Sequence, residues 1–427
     1  MAKNIFPKNF YWGASTASHQ VEGGTVNQWT EWELAHASEL AKTAKQRLQH
    51  VVSDWDSIRS EAEDPNNYVS GKGINHYARY QEDFDLAKKI NLSALRFSVE
   101  WSRIEPNEGE WDEVAIEHYR EYIRQLRARG LEPFLNIWHW TMPNWFIEKG
   151  AFEKSSNLRY WRRFVQKIGD EYADELKYIL TINEPNVYAS FGYLTGEWPP
   201  QRKNFFTFGA VYYNLARAHR QAYKILRKKS PTLKIGLAPA LANIQAKRPS
   251  NLIDVVAVWW MRYFWNWWFI NRVKRSMDFV GFNYYFSDYY RAGKLANPEA
   301  PRSDLGWYME PEGLHPLLVR TYAHYKKPIF ITENGVADAS DQYRQWWLEE
   351  TTVAMERALS EGVDLRGYFH WSLLDNFEWK YGWWPKFGLI EVDRKQGMKR
   401  TIRPSAKWFA KKIASLQDGE KPTKEVL

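Results

Sequence analysis

Cysteine is absent from this 427-residue chain. That excludes disulfides, zinc–thiolate sites, iron–sulfur clusters and a thiol nucleophile at once, so any chemistry here uses oxygen or nitrogen groups. Long hydrophobic runs are also missing. Met1 to Phe10 holds no apolar run of signal-peptide length. The most apolar stretch, Asn251 to Ile270, is interrupted by Asp254, Arg262 and Asn266, which argues against a membrane span. A cytoplasmic protein with no membrane partner is expected. No Pro/Gly/Ser-rich linker or low-complexity tract divides the chain, so residues 1–427 are expected to form one domain.

Charge of one sign is not strongly dominant: 59 Lys and Arg stand against 51 Asp and Glu, a net charge of +8. The dense basic runs, Arg227-Lys228-Lys229 and the tail from Lys407 to Lys412, are short or mixed with apolar residues. A nucleic-acid partner needs such charge gathered on one face, so none is expected. What the chain has in excess is aromatic: 24 Trp, 25 Tyr and 22 Phe. An indole pairs a flat apolar face with one donor, which suits sugar rings. Core packing accounts for most such residues equally well, and composition does not choose between the two.

Short β-branched and aromatic runs alternate with helical patterns. The candidate strands are Phe10–Gly13, Ala94–Trp101, Glu132–Trp140, Tyr178–Glu184, Lys234–Ala240, Asp278–Tyr285, Pro328–Glu333 and Gly367–Ser372. Between them lie amphipathic stretches at 77–90, 113–129, 158–172, 208–228 and 342–360. In the first, Tyr77, Tyr80, Phe84 and Ala87 recur at helical spacing, and Gly130 and Gly362 stand where helix-terminating glycines belong. This pattern predicts the α/β class, as a (β/α)8 TIM barrel. A doubly wound sheet would carry a Gly-rich phosphate turn after its first strand, and there is none.

A barrel of this kind places its active site at the C-terminal ends of its strands. Strand one leads to Gln20, strand two carries Arg96, and strand three ends in His139-Trp140. Strand four ends in Asn183-Glu184, strand six in Asn283-Tyr284-Tyr285, strand seven in Glu333-Asn334 and strand eight in Trp371. Glu184 and Glu333 thus fall on opposite sides of one rim. Paired carboxyls facing a pocket are what glycosidic cleavage requires, one protonating the departing oxygen while the other supports the anomeric carbon. For either glutamate alone an ion pair would be the better reading.

These residues lie within six blocks that resemble glycoside hydrolase family 1, the β-glucosidase and β-galactosidase family, nearly end to end. The blocks run from Phe10 to Gly23, Arg96 to Arg103, His139 to Pro143, Thr181 to Asn186, Ile331 to Gly335 and Trp371 to Trp379. The resemblance implies a retaining exo-β-glycosidase, with Glu184 as general acid/base and Glu333 as nucleophile. Such a mechanism holds its carboxyls about 5–5.5 Å apart. Arg96 would keep Glu333 ionised, Asn183 would bond the sugar 2-hydroxyl, and Tyr285 would contact the nucleophile. Gln20, His139, Asn183, Glu378 and Trp379 would bind the cleaved sugar above Trp371, with Trp140 left between binding and packing. The expected partner is a small β-glycoside, and no metal or organic cofactor is implied.

Glu378 bears on the substrate, since a carboxylate accepts from the 4- and 6-hydroxyls and repels a 6-phosphate. Lys380 and Tyr381 nearby fit a 6-phosphoglycosidase, but Glu378 favours unphosphorylated sugars. A rival from another class is a catalytically silent sugar-binding barrel, which would be expected to lose one carboxylate. The chain departs from the family around residues 241–277, which are shortened and aromatic-rich. There the cluster from Trp259 to Phe269 is read first as core, and second as an apolar pocket beside the barrel mouth. Trp383 and Trp384 are expected at the entrance, where they could stack on the aglycone.

Overall fold

The structure, a computed structural model, describes residues 5–418. The first four residues of the stretch screened for a signal peptide lie outside them. Eight parallel strands form the frame: β1 (Tyr11–Ser15), β2 (Ala94–Ser98), β3 (Glu132–Trp138), β4 (Tyr178–Asn183), β5 (Lys234–Ala238), β6 (Val280–Tyr284), β7 (Ile329–Asn334) and β8 (Leu365–Trp371). They pair in the order β5-β4-β3-β2-β1-β8-β7-β6. The remaining seam between β5 and β6 is bridged by Ala240 and Asn283, with Asn283 N donating to Pro239 O at 2.9 Å. This is the (β/α)8 barrel that the alternating pattern predicts, with every expected strand present.

The helices follow their sequence signals. Tyr80, Phe84 and Ala87 bury one face of the helix His76–Lys89. The helix Glu113–Ala128 is capped by the Asp112 side chain, which accepts from Ala115 N at 3.0 Å. Gly130 follows it at φ +69°, a left-handed turn that glycine adopts without steric strain. Leu158–Tyr172 buries Trp161, Phe164, Val165 and Ile168 against the barrel.

Inside the barrel the strands alternate with period two. An aromatic floor of Phe134, Tyr178, Phe279, Phe330 and Phe369 packs at the N-terminal end, with Phe134 and Tyr178 stacked at 4.3 Å. Five rings fit because glycine faces them: a Cβ on Gly236 would lie 2.4 Å from the Phe279 ring, and one on Gly13 2.5 Å from that of Phe369. Two residues further along, the same faces change character. Phe134 gives way to Asn136, Ala94 to Arg96, Phe330 to Thr332 and Phe369 to Trp371. The packed base thus supports a polar and aromatic mouth.

The aromatic-rich segment divides in two. After β5 the chain forms the helix Leu252–Arg262, a π-helical turn Tyr263–Trp267 and the helix Trp268–Val273. Trp267, Phe269, Ile270 and Val273 are buried, as the core reading expects. Trp259, Trp260 and Phe264 are not, with 57%, 49% and 53% of their surface exposed. The core reading is therefore corrected for the N-terminal half. Apolar residues all round a helix do not show which side the barrel covers.

Candidate active site

The two strands that deliver the glutamates both lose regular register just before them. In β4 the shift falls between Leu180 and Asn183, and in β7 between Ile331 and Glu333. Such irregularities re-aim side chains, so consecutive residues such as Thr332 and Glu333 both reach the interior network. Glu184 then caps the helix Pro185–Ala189 in left-handed backbone, φ +40°, its N–H donating to Ala238 O at 2.7 Å. Trp140 and Trp379 also have positive φ. Left-handed backbone costs a non-glycine residue about 1–3 kcal/mol and persists where surrounding contacts impose it.

Arg96 is fully buried beneath the pair. Its Nη1 donates to Glu333 Oε1 and its Nη2 to Asn183 Oδ1, the latter at 2.6 Å. The Tyr285 hydroxyl donates to the other Glu333 oxygen at 2.7 Å. Asn283 ties the two sides together. Its Nδ2 donates to Glu184 Oε1 at 2.8 Å and to Asn183 Oδ1 at 3.1 Å, while its Oδ1 accepts from Thr332 Oγ1 at 2.6 Å. Its amide also lowers the pKa of the Glu333 carboxyl. With Asn183 Oδ1 accepting twice, its Nδ2 is left as a donor, 3.0 Å from His139 Nε2.

These contacts are unequal, and so is the electrostatics. Burial pushes the Glu184 carboxyl well above the usual range, and the neighbouring charge of Glu333 pushes it further. Burial raises Glu333 as well, but Arg96, Tyr285 and Asn283 all pull it back. The proton shared by this pair therefore rests on Glu184 and the negative charge on Glu333. Burial and Arg96 hold His139 well below its ordinary pKa, so its ring is neutral. Burial raises the Tyr285 hydroxyl well above the ordinary tyrosine value, so it remains a donor.

Both carboxyls line one cavity of about 210 Å3. Gln20, His139, Trp140, Tyr285, Trp371, Glu378 and Trp379 share its wall. Arg96 and Asn183 do not; they sit fully buried behind it. Gln20 Oε1 and His139 Nδ1 are buried with no hydrogen-bond partner, a condition that suits groups awaiting a ligand hydroxyl. Glu378 Oε2 accepts from Asn376 Nδ2 at 3.1 Å, and burial pushes its carboxyl up to about 8. Burial therefore favours its protonated form, and as a carboxyl it offers a phosphate no compensating cation. Lys380, the cation beside it, is ion-paired with Glu197.

Trp383 and Trp384 are not at the entrance. Both are 3% exposed and neither lines the cavity. Trp383 donates to Val69 O at 2.9 Å and Trp384 packs with Trp55 and Leu305. Their loop turns inward after Gly382, which a sequence does not reveal. The outer wall comes instead from Phe191, Trp198, Trp265, Phe286, Trp307 and Phe387. Trp265 belongs to the cluster whose second reading was a pocket beside the barrel mouth; sequence reasoning missed the others, since Trp198, Phe286, Trp307 and Phe387 lie on loops with no periodicity and Phe191 on a short π-helical turn. It also gave Asn283 no role, although its place at the end of β6, two residues before Tyr285, was a signal.

A parallel barrel, a buried carboxyl pair held in unequal surroundings and a ring of tryptophans around it define a glycoside hydrolase. The chain belongs to glycosyl hydrolase family 1, which residues 2–275 and 270–417 match. It is 29% identical to β-glucosidase A of Thermotoga maritima, over 95% of this chain and 97% of that one. To the β-galactosidase of Saccharolobus solfataricus it is 29% identical, over 94% and 93%. The solved β-glycosidase from Pyrococcus horikoshii superposes with a TM-score of 0.84 at 31% identity, covering 97% of this chain and 96% of that one.

Proposed function

We propose that this chain works as one barrel domain that hydrolyses terminal, unphosphorylated β-glycosides with retention, β-glucosides first and β-galactosides alongside them. Glu333 attacks the anomeric carbon while Glu184 gives its proton to the departing oxygen. The C–O bond to the aglycone breaks as the ester bond to Glu333 forms. Forming that ester removes the negative charge beside Glu184, whose pKa falls. It can then take a proton from water, which cleaves the ester and returns the β-anomer.

The observation that carries this reading is the asymmetry of the pair. Arg96 and Tyr285 both address Glu333, whereas Glu184 has burial, an amide and a like charge. Asn183 and His139 suit the 2- and 3-hydroxyls, and Gln20 with Glu378 the outer edge of the ring over Trp371. With Lys380 engaged by Glu197, Glu378 has no free cation beside it, which disfavours a 6-phosphate. The names of the relatives support glucosides and galactosides as substrates.

The test is release of nitrophenol from aryl β-glycosides, with the anomer followed by proton NMR. A 2-deoxy-2-fluoro-β-glucoside with a dinitrophenolate leaving group should trap the ester, adding one fluoroglucosyl mass to the Glu333 peptide. First appearance of the α-anomer, or a label elsewhere, would overturn the assignment.

A further inference from the structure

A second, larger cavity of about 680 Å3 lies against the first, outside the barrel. Phe191, Trp265 and Phe286 line both, so three aromatic rings form the common wall. Beyond them the lining is almost wholly apolar, with Phe208 and Tyr212 from the helix Phe205–Lys229 facing Met261 and Trp268. Its polar groups are few: Asn186 Nδ2 donates to Ala240 O at 2.8 Å, Asp288 Oδ1 accepts from Asn297 at 2.9 Å, and the buried Tyr212 hydroxyl has no hydrogen-bond partner.

Two further features mark this cavity as built rather than incidental. Phe191 and Trp265 come from π-helical turns, Ser190–Leu194 and Tyr263–Trp267, the only two among the described residues. Such turns are rare and recur at functional sites, where the extra residue swells the helix and re-aims its side chains. The rim is also apolar. Leu194, Phe205 and Phe264 line the cavity yet remain 41%, 70% and 53% exposed, and the exposed Trp260 lies one helical turn from Phe264. Apolar groups of this size left in water on a rim mark an interaction site.

We propose that this side cavity receives the hydrocarbon chain of the aglycone, which makes β-glycosides of long-chain alcohols or lipids the substrates of the neighbouring site. The inference rests on the glycosidase reading and narrows its substrate. A chain leaving the glycosidic oxygen passes the three shared rings and exchanges water for Phe208, Tyr212 and Trp268. Each buried methylene then raises kcat/KM by about three- to fourfold. A polar aglycone, such as a second sugar, would bury most of its hydroxyls against apolar side chains there.

Gly209 supplies the test. It lines the cavity on the helix Phe205–Lys229, and a Cβ there meets nothing within 4 Å. Gly209→Phe therefore adds a ring at the cavity wall from a Cβ that meets no neighbour, and replacing glycine does not weaken a helix. Methyl, butyl, hexyl and octyl β-glucosides are assayed below their micellar concentrations, with nitrophenyl β-glucoside as reference. The wild type should show kcat/KM rising steadily with chain length, and Gly209→Phe should flatten that rise. A flat profile in the wild type beside healthy nitrophenyl turnover, or an unchanged slope in Gly209→Phe, overturns the proposal.

Absence of all turnover would instead count against the hydrolase reading. Calorimetric binding of octyl against methyl β-thioglucoside then decides the cavity directly, equal affinities refuting it. Phosphatidylcholine vesicles carrying a glucosyl diacylglycerol separate the two sources of such a chain. Turnover on them with co-sedimentation assigns the chain to a bilayer, and a chain-length slope without either assigns it to a dissolved amphiphile.

Discussion

Removing the charge of Glu333 while keeping its shape should lower the pKa of Glu184. Burial and the charge of Glu333 raise Glu184, whereas Asn283 and Arg96 act against them. In Glu333→Gln the size of the side chain is nearly unchanged and burial persists, so the change isolates the electrostatic contribution. For carboxyls about 5 Å apart, the spacing of retaining glycosidases, and an effective dielectric of about 20, the repulsion is about 3 kcal/mol. At about 1.4 kcal/mol per unit, the Glu184 pKa should fall by about two units. The sign is fixed because losing a negative neighbour favours ionisation. The assay is a carbon NMR titration of glutamate-labelled protein, with the Glu184→Gln/Glu333→Gln double variant identifying the resonance. A fall of less than about half a unit, or a rise, would refute the claim that these two groups share one field.

The same reasoning reaches other observables. For aryl glucosides kcat/KM should be bell-shaped in pH, rising as Glu333 ionises and falling as Glu184 loses its proton. Tyr285→Phe removes a donor from the Glu333 carboxylate and should move the acidic limb up by about one unit; an unmoved limb would argue against that contact. Glu184→Ala should slow cleavage of methyl β-glucoside by about 10²- to 10⁴-fold. Its 2,4-dinitrophenyl counterpart should suffer far less in the first step, because that leaving group needs little protonation, and equal losses would remove Glu184 as the acid. Gly281→Ala would place a Cβ 2.5 Å from Leu237 O and 2.8 Å from Thr332 Cγ2. It should destabilise the barrel by about 1–3 kcal/mol, and calorimetry showing an undiminished Tm would contradict the packing described.

Much of the fold was legible because barrels are built from local signals. Each strand is a short apolar run, each helix an amphipathic one, and Asp112 and Gly130 stand at the ends of the helix Glu113–Ala128. Glu184 and Glu333 were legible too, since a strand's C-terminal end in this architecture faces the mouth, and the surrounding blocks carry the family resemblance. Trp383 and Trp384 misled because a tryptophan on a loop has no period to say which way it turns. The aromatic cluster misled by half, since Trp267 and Trp260 differ in burial only through the barrel behind one of them.

The sequence by itself determined the order of strands and helices, the two acids at the mouth and the aromatic surplus, because these follow from neighbours along the chain and from residue types. Only the tertiary structure decided that Asn283 ties Glu184 to Asn183 and Thr332, and that two cavities share a wall of three rings. Electrostatic fields, hydrogen-bond networks and cavities are set by distances through space between segments hundreds of residues apart, and those distances exist only once the barrel has closed.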